Sequence, residues 1–302
     1  MMDVIRFLQQ RTVDGFLPWV VQQEAVERFG WSHAAVEETA LANELLPARY
    51  QRNHSMLSIS DQLQLFRSRI AVIGCGGLGG YIIEELARMG VGHIVAIDPD
   101  VFEEHNLNRQ LLASTRNLGM PKVEAALARV SEINPAVRLT PIQAAFCTAN
   151  SHELLQGVTV AVDALDSISY RLELAQACGE LDVPLVHGAI GGWYGHVATQ
   201  LPGDTTVQDI YRNWVAGKGI EQQLGNPAFT PAIVSSLQVA EVCKLIVGRG
   251  ELLRWRKLSI DLLEMEIHEI PYAARAEAII FPTHSTESDA YTRITCVNDG
   301  VF

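Results

Sequence analysis

The run Arg69-Ile70-Ala71-Val72-Ile73, followed at once by Gly74-Cys75-Gly76-Gly77-Leu78-Gly79, constrains this chain more than any other stretch. A short apolar strand enters a turn of four glycines, and an apolar-periodic helical segment, Tyr81 to Met89, leaves it. A second apolar run, Ile94-Val95-Ala96-Ile97, then ends in Asp98-Pro99-Asp100. Strand, glycine turn, helix and strand in that order open a parallel α/β sheet. The glycines let backbone N–H groups approach a phosphate, and the helix N-terminus adds a favourable dipole. A carboxylate at the end of the second strand can accept hydrogen bonds from ribose hydroxyls. The stretch predicts a nucleotide site built on Gly74, Gly76, Gly77, Gly79 and Asp98. The competing reading is a tight turn packed in an α/β core with no ligand.

The residues downstream bear on which nucleotide. A dinucleotide site must leave room beyond the pyrophosphate for a second nucleoside. Here Asn106, Arg109 and Lys122 follow shortly after Asp98. Two cations and an amide suit a triphosphate, whose charge is concentrated at one end, and as a set they favour ATP over NAD or FAD. A third apolar run, Val158 to Val162, ends in Asp163-Ala164-Leu165-Asp166-Ser167. Ligands of open parallel sheets bind outside the carboxyl ends of the strands. An aspartate there can hold Mg2+ against the phosphates. Asp166 is the candidate and Asp163 its competitor; either would also serve as a cap for a helix opening near Ser167.

With these motifs in this order and spacing, the chain resembles the ThiF/MoeB/HesA family, bacterial relatives of ubiquitin-activating enzymes. Further elements carry the resemblance: Asn106-Leu107-Asn108-Arg109-Gln110, Pro121-Lys122-Val123, Ile133-Asn134-Pro135, and Ser236-Leu237-Gln238 opening a helix near residues 235 to 247. Upstream, Arg49-Tyr50-Gln51-Arg52 is similar to the family's RYxRQ element. The likeness covers about residues 48 to 270. It implies an adenylyltransferase that binds ATP and Mg2+. Its substrate would be the C-terminal Gly-Gly carboxylate of a small ubiquitin-like sulfur-carrier protein, in molybdopterin, tungstopterin or thiamine biosynthesis. By the same resemblance Gly77 and Asp100 touch the nucleotide and Asp98 holds the ribose. His105, Asn106, Leu107, Asn108 and Arg109 line the phosphates, and Lys122 neutralises them. Asp166, with Ser167 beside it, sits near the metal. Arg52 reaches into a partner subunit's active site, which implies a homodimer.

The chemistry suits those residue types. A carboxylate attacking an α-phosphorus is already ionised, so no general base is needed. Catalysis is positioning plus cations where charge builds up.

The chain also departs from the family pattern. Where many members carry the first of two CxxC pairs for structural zinc, it reads Ile210-Tyr211-Arg212-Asn213, and Cys296 is the one cysteine near the C-terminus. Tetrahedral zinc wants four S or N ligands, so no zinc site is expected. Of the five cysteines, Cys75 lies in the glycine loop. Cys178 and Cys243 fall in apolar helical patterns as small core residues. Cys147 follows an apolar strand and suits either role, and Cys296 sits in a polar tail. The simplest reading is adenylation alone, with sulfur delivered by another protein. His187 and His196 read as satisfied structural histidines, lacking partners at metal-ligand spacing. Trp193-Tyr194, after Gly191-Gly192, suits either an apolar wall for a Gly-Gly tail or a packed hairpin turn.

Composition bounds what remains. A formal net charge of −12 argues against non-specific nucleic-acid binding. It also counts, with the Arg49–Arg52 element, against a TcdA-like tRNA dehydratase that adenylates a non-protein carboxylate. An NAD-binding redox or sensor protein is the other alternative and would have no use for Arg109 or Lys122. Cysteines that look unpaired suggest a reducing compartment. No run approaches 18 apolar residues and the N-terminus lacks a signal pattern, so a cytoplasmic protein without a membrane span is expected.

The expected fold class is α/β. A Rossmann-like half of parallel strands continues into a mixed, antiparallel half, as one large sheet flanked by helices with a small helical N-terminal extension. Residues 1–47 form the extension, 48–281 the adenylation domain and 282–302 a polar tail. In the extension, Gly30 ends a helix from Val20 to Phe29, and Ser32 caps another running to about Leu45. Strands are expected near 70–74, 93–98, 137–143, 158–163, 183–189 and 195–201, then at Leu258–Asp261 and Glu266–Ile270. Residues 202 to 231 read as a long crossover loop.

Overall fold

The computed structural model describes residues 2–214 and 224–272. Strands β3 (Arg69–Ile73) and β4 (His93–Ile97) are joined by helix α5 (Gly77–Met89), as the glycine turn requires. Gly76 is the N-cap of α5, and Gly90 ends it in the left-handed conformation at φ 76°. The fourth glycine of the turn is fixed by contact: a Cβ on Gly79 would lie 1.8 Å from the carbonyl oxygen of Gly74. Only a residue without a side chain lets the first turn of α5 sit on the end of β3.

Beyond β4 come α6 (Lys122–Ile133), β5 (Arg138–Ile142), α7 (Ser151–Leu155), β6 (Val160–Asp163) and α8 (Ile168–Glu180). The hairpin β7 (Leu185–Gly191) and β8 (Tyr194–Gln200) follows, then α9 (Thr206–Ile210), α10 (Phe229–Val247), β9 (Arg256–Asp261) and β10 (Glu266–Pro271). The 8-stranded sheet has the order β10-β9-β8-β7-β6-β3-β4-β5. From β7 to β5 every neighbouring pair is parallel, and from β7 through β10 every pair is antiparallel. The expected change from a parallel to an antiparallel half is therefore found, at β7.

Alternation along the central strands sorts the core onto two faces. Ile70, Val72, Ile94 and Ala96 meet α5, α6 and α10, whereas Ala71, Ile73, Val95 and Ile97 meet α7, α8 and α9. Both sets are buried, as expected for parallel strands covered on both sides.

Some boundaries differ from expectation. Helix α10 starts at Phe229, so Ser236-Leu237-Gln238 lie inside it rather than at its opening. Pro231 is tolerated in its first turn because the N–H it lacks would have had no acceptor within the helix. Over 19 residues α10 has a mean hydropathy of 1.4, long and apolar enough to cross a membrane by length and composition. Here it is a core helix: Gln238 donates to the Asp163 carbonyl at 2.8 Å and Ser235 to that of Leu78 at 3.0 Å. The crossover stretch is also partly helical, in α9 and the start of α10. Residues 215–223, the tail 282–302 and Cys296 lie outside the described residues.

The N-terminal residues form α1 (Met2–Gln9), β1 (Phe16–Leu17), α2 (Trp19–Phe29), α3 (His33–Ala42) and β2 (Leu46–Pro47) around their own core of Leu8, Leu17, Ala25, Val36 and Ala40. Ser32 caps α3 as expected, accepting from the Ala35 N–H at 3.2 Å. The helix stops at Ala42 rather than near Leu45, because Glu44 turns left-handed (φ 57°) to bring β2 alongside β1. A buried polar joint ties these helices to α6 on the large sheet. The Tyr50 hydroxyl donates to Glu37 of α3 at 2.6 Å and accepts from Asn134, at the end of α6, at 2.8 Å. Burial pushes the Glu37 carboxyl above its ordinary range, against the pull of nearby Arg49 and the Tyr50 hydrogen bond.

Candidate nucleotide site

A cavity of about 380 Å3 opens at the carboxyl ends of β3, β4 and β6. The chain reverses direction across the sheet between β3 and β6, which is where ligands of open α/β sheets bind. Gly74, Gly76 and Gly77 form its floor at the N-terminus of α5. A Cβ on Gly76 or Gly77 would meet no heavy atom closer than 3.5 Å, so packing alone does not demand a glycine at either position.

Asp98 closes one side and is 5% exposed. Its Oδ2 accepts from the Cys75 N–H at 2.6 Å and its Oδ1 from the Asp100 N–H at 2.8 Å, pinning the glycine turn to the end of β4. Burial pushes this carboxyl up, while Lys122 and the two N–H donors pull the other way. Lys122, the first residue of α6, is buried with its Nζ 2.9 Å from Asp100 Oδ2 and 3.8 Å from Asp98 Oδ1. Arg109 lies on the same wall, its Nη1 held by the His105 carbonyl at 3.1 Å and the Asn108 Oδ1 at 2.9 Å. Asp166 faces the cavity from beyond β6. Carboxylate, two cations, helix N-terminus and glycine floor thus come together, as the sequence led one to expect.

Several expected contacts are placed differently. Asn106 does not line the cavity; its Oδ1 accepts from the Glu103 N–H at 2.9 Å, closing the turn at 104–106. Its carbonyl accepts from the N–H groups of Arg109 and Gln110, so Asn106 shapes the bend that presents Arg109. His105 is exposed and pairs with Glu103 at 3.3 Å, and Leu107 is not on the wall either. Asn108 donates to the Asn226 carbonyl at 3.0 Å, fastening the start of the α10 segment beside the cavity. Gly79 packs rather than lines, and Ser167 bonds to Ser169 at 2.9 Å as the N-cap residue of α8. Arg52 is exposed on a turn outside the cavity. Asp163 is excluded as a ligand, being fully buried and 2.7 Å from His187 Nδ1.

Polar wall residues that escaped the sequence-level site include Gln110 and Asn226. Both line the cavity, and the buried Oε1 of the first and Oδ1 of the second have no hydrogen-bond partner among the described residues. Gln110 closes the Asn-Leu-Asn-Arg-Gln motif, so its position could have flagged it; Asn226 had no local signal. Orphaned buried polar atoms of this kind fit a polar ligand. With the glycine floor at a helix N-terminus and the buried lysine, they make the cavity suited to a nucleotide. Among the described residues no three His, Cys, Asp or Glu side chains gather as a metal centre. A divalent cation would therefore rest on Asp166 and phosphate oxygens, an arrangement Mg2+ commonly adopts.

His187 and His196 are indeed satisfied, but as members of a larger buried cluster with Asp163, Tyr211 and Arg171. Burial raises the thiols of Cys75, of Cys178 to about 12 and of Cys243 to about 11, unsuited to nucleophilic work near neutrality. Trp193 is on the exposed hairpin tip and tilts against Phe229 with ring centroids 4.6 Å apart, so it is both a packed turn and an apolar surface.

Residues 50–279 match the ThiF family. A SAMP-activating enzyme E1 from Haloferax volcanii is 35% identical over 228 residues, covering 74% of this chain and 84% of the relative. A molybdopterin-synthase adenylyltransferase from Haemophilus influenzae is 30% identical, covering 76% and 96% respectively. Among solved structures, Escherichia coli MccB with ATP shares the fold at a TM-score of 0.64 and 20% identity, over 83% of each chain.

Proposed function

The chain belongs to the ThiF family, and from that premise we propose that it adenylates the C-terminal Gly-Gly carboxylate of a small ubiquitin-like sulfur-carrier protein. The carboxylate oxygen bonds to the α-phosphorus of ATP, the bond from that phosphorus to the β-phosphate bridge breaks, and pyrophosphate leaves with the electron pair. The observation that carries this reading is Lys122, a buried cation shared between Asp98 and Asp100 at the mouth of a glycine-floored helix N-terminus. Asp98 accepts from the ribose with the lone pairs its two N–H donors leave. Arg109 and Lys122 offset charge on the phosphates and bring an anionic nucleophile up to an anionic electrophile. Mg2+, held by Asp166 and phosphate oxygens, would add charge neutralisation on the departing pyrophosphate.

The protein also works as a homodimer in this reading. Arg52 lies on an exposed turn whose Met56 and Leu57, with Met89, Val239 and Val247, line an apolar groove of about 620 Å3. A second copy seated there covers the groove and brings Arg52 to its neighbour. A reaction that consumes ATP, in a chain whose described cysteines are free, fits the cytoplasm.

ATP–pyrophosphate exchange tests the proposal. Exchange should depend on a ubiquitin-like sulfur carrier ending in Gly-Gly and vanish when its last glycine is removed. ATP binding with no exchange for any such carrier would redirect the reading to another carboxylate.

A further inference from the structure

The backbone just before Asp166 is gripped from both sides by side chains the adenylation chemistry does not use. The Leu165 N–H donates to Asp163 Oδ1 at 2.9 Å. The Leu165 carbonyl accepts from Arg171 Nη2 at 2.8 Å and Nε at 3.1 Å, a forked grip from a guanidinium 1% exposed. The two holders are themselves joined. Arg171 Nη1 donates to the Tyr211 hydroxyl at 3.0 Å, that hydroxyl lies 3.2 Å from His187 Nε2, and His187 Nδ1 lies 2.7 Å from Asp163 Oδ2. One assignment of protons satisfies this path: Arg171 donates to Tyr211, Tyr211 to His187 Nε2, and His187 Nδ1–H to Asp163. His196 Nε2 lies 3.1 Å from the same His187 Nε2, whose single lone pair accepts from one of the two neighbours at a time.

The members come from β6, β7, β8, α8 and the end of α9, and the path closes into a loop through the Leu165 backbone. Arg171 also reaches the cavity wall, whereas His187, His196 and Tyr211 stand behind it. A forked, charge-assisted grip on a carbonyl fixes the peptide plane that leads into the next residue. That residue is Asp166.

We propose that Arg171 and Tyr211 are positioning residues for the nucleotide reaction, fixing the Leu165 backbone so that the Asp166 carboxylate is presented to the metal–phosphate end of the bound nucleotide. The proposal rests on the adenylation reading. Side chains that orient a ligand-bearing group typically change metal affinity or activity by about 10–100-fold when removed.

Calorimetric titration of the full chain with ATP, across a range of Mg2+ concentrations, tests it without relying on turnover. Tyr211→Phe keeps shape and removes the link. The Mg2+ needed for half-maximal tightening of ATP binding should rise by about tenfold. ATP affinity without Mg2+ and kcat at saturating ATP, Mg2+ and carrier should stay within about threefold of wild type, on the same scale. Arg171→Lys, a conservative second variant that cannot fork the carbonyl, should shift the Mg2+ dependence at least as far. Adding Tyr211→Phe to it should then change little, because both act along one path. A lowered melting temperature with unchanged Mg2+ dependence in Tyr211→Phe would overturn the proposal in favour of a purely structural cluster. Loss of ATP binding in the wild type itself would instead remove the reading on which it rests.

Discussion

Replacing Lys122 by methionine examines the site where its charges are most concentrated. The substitution keeps the buried stem and removes a cation that stands 2.9 Å from Asp100 and 3.8 Å from Asp98. Two effects then add. The phosphates lose a positive group, which at about 4 Å in an effective dielectric near 20 is worth about 4 kcal/mol. Asp98 and Asp100 are left facing an anionic ligand without their shared counter-charge. Competition from water and Mg2+ works against both, and removal of a single charge-stabilising group commonly costs about 10²–10³ in rate. That is the loss expected in carrier-dependent ATP–pyrophosphate exchange, read as kcat/KM for ATP. The second effect has its own signature: Asp100→Asn in the Lys122→Met background should recover about fivefold, a modest share because Asp100 is mostly exposed and screened. Exchange in Lys122→Met within about threefold of wild type would refute the assignment of Lys122 to the phosphates, set against the loss above. A double variant no better than Lys122→Met would refute the charge-balance argument while leaving the lysine in place.

Packing and burial give two more expected outcomes. Gly79→Ala should lower stability by about 3 kcal/mol or more, because its Cβ would meet backbone at 1.8 Å and neither side can yield as a side chain would; the urea midpoint should fall with the slope unchanged. His196 is held well below its ordinary value of 6.5, chiefly by burial and then by His187, Lys257 and Arg171. Its contribution is present above that value and lost as pH falls below it, because the unfolded chain takes up a proton that the folded chain refuses. The stability gap between wild type and His196→Gln should therefore narrow below pH 6.5, by at most about 1.4 kcal/mol per pH unit for one proton. A gap that stays constant from pH 7.5 to 5.5 would count against a neutral buried His196.

The parts of this molecule that were legible in its sequence are those written in short-range pattern. The buried strands, the glycine turn and Asp98 at a strand end need only a few neighbouring residues to be recognised, and each lies where expected. Asn106 is ambiguous from sequence because one side chain can either meet a ligand or close a turn, and here its Oδ1 accepts from the Glu103 N–H three residues earlier. The Asp163–His187–Tyr211–Arg171 cluster could not be read at all from spacing. Asp163 and His187 face each other only because β6 and β7 pair in that register, and Tyr211 joins them only when α9 docks on the sheet. The start of α10 was hidden by Pro231, which marks a break in a helix interior but is neutral in a first turn.

The joint made by Glu37, Tyr50 and Asn134 gives the N-terminal helices a mechanical relation to the nucleotide site. Greasy contact alone lets a helical appendage slide, whereas short directional bonds onto a buried carboxylate admit a single seating. Asn134 ends α6, and Lys122 begins it. The two are separated by a beam of 12 residues, about 18 Å long at the usual helical rise. One end of that beam is bolted to the extension, and the other carries Lys122 at the candidate nucleotide site. The helices ahead of the family match are thus a fixed abutment for the arm that bears Lys122, not a tether hanging from the enzyme.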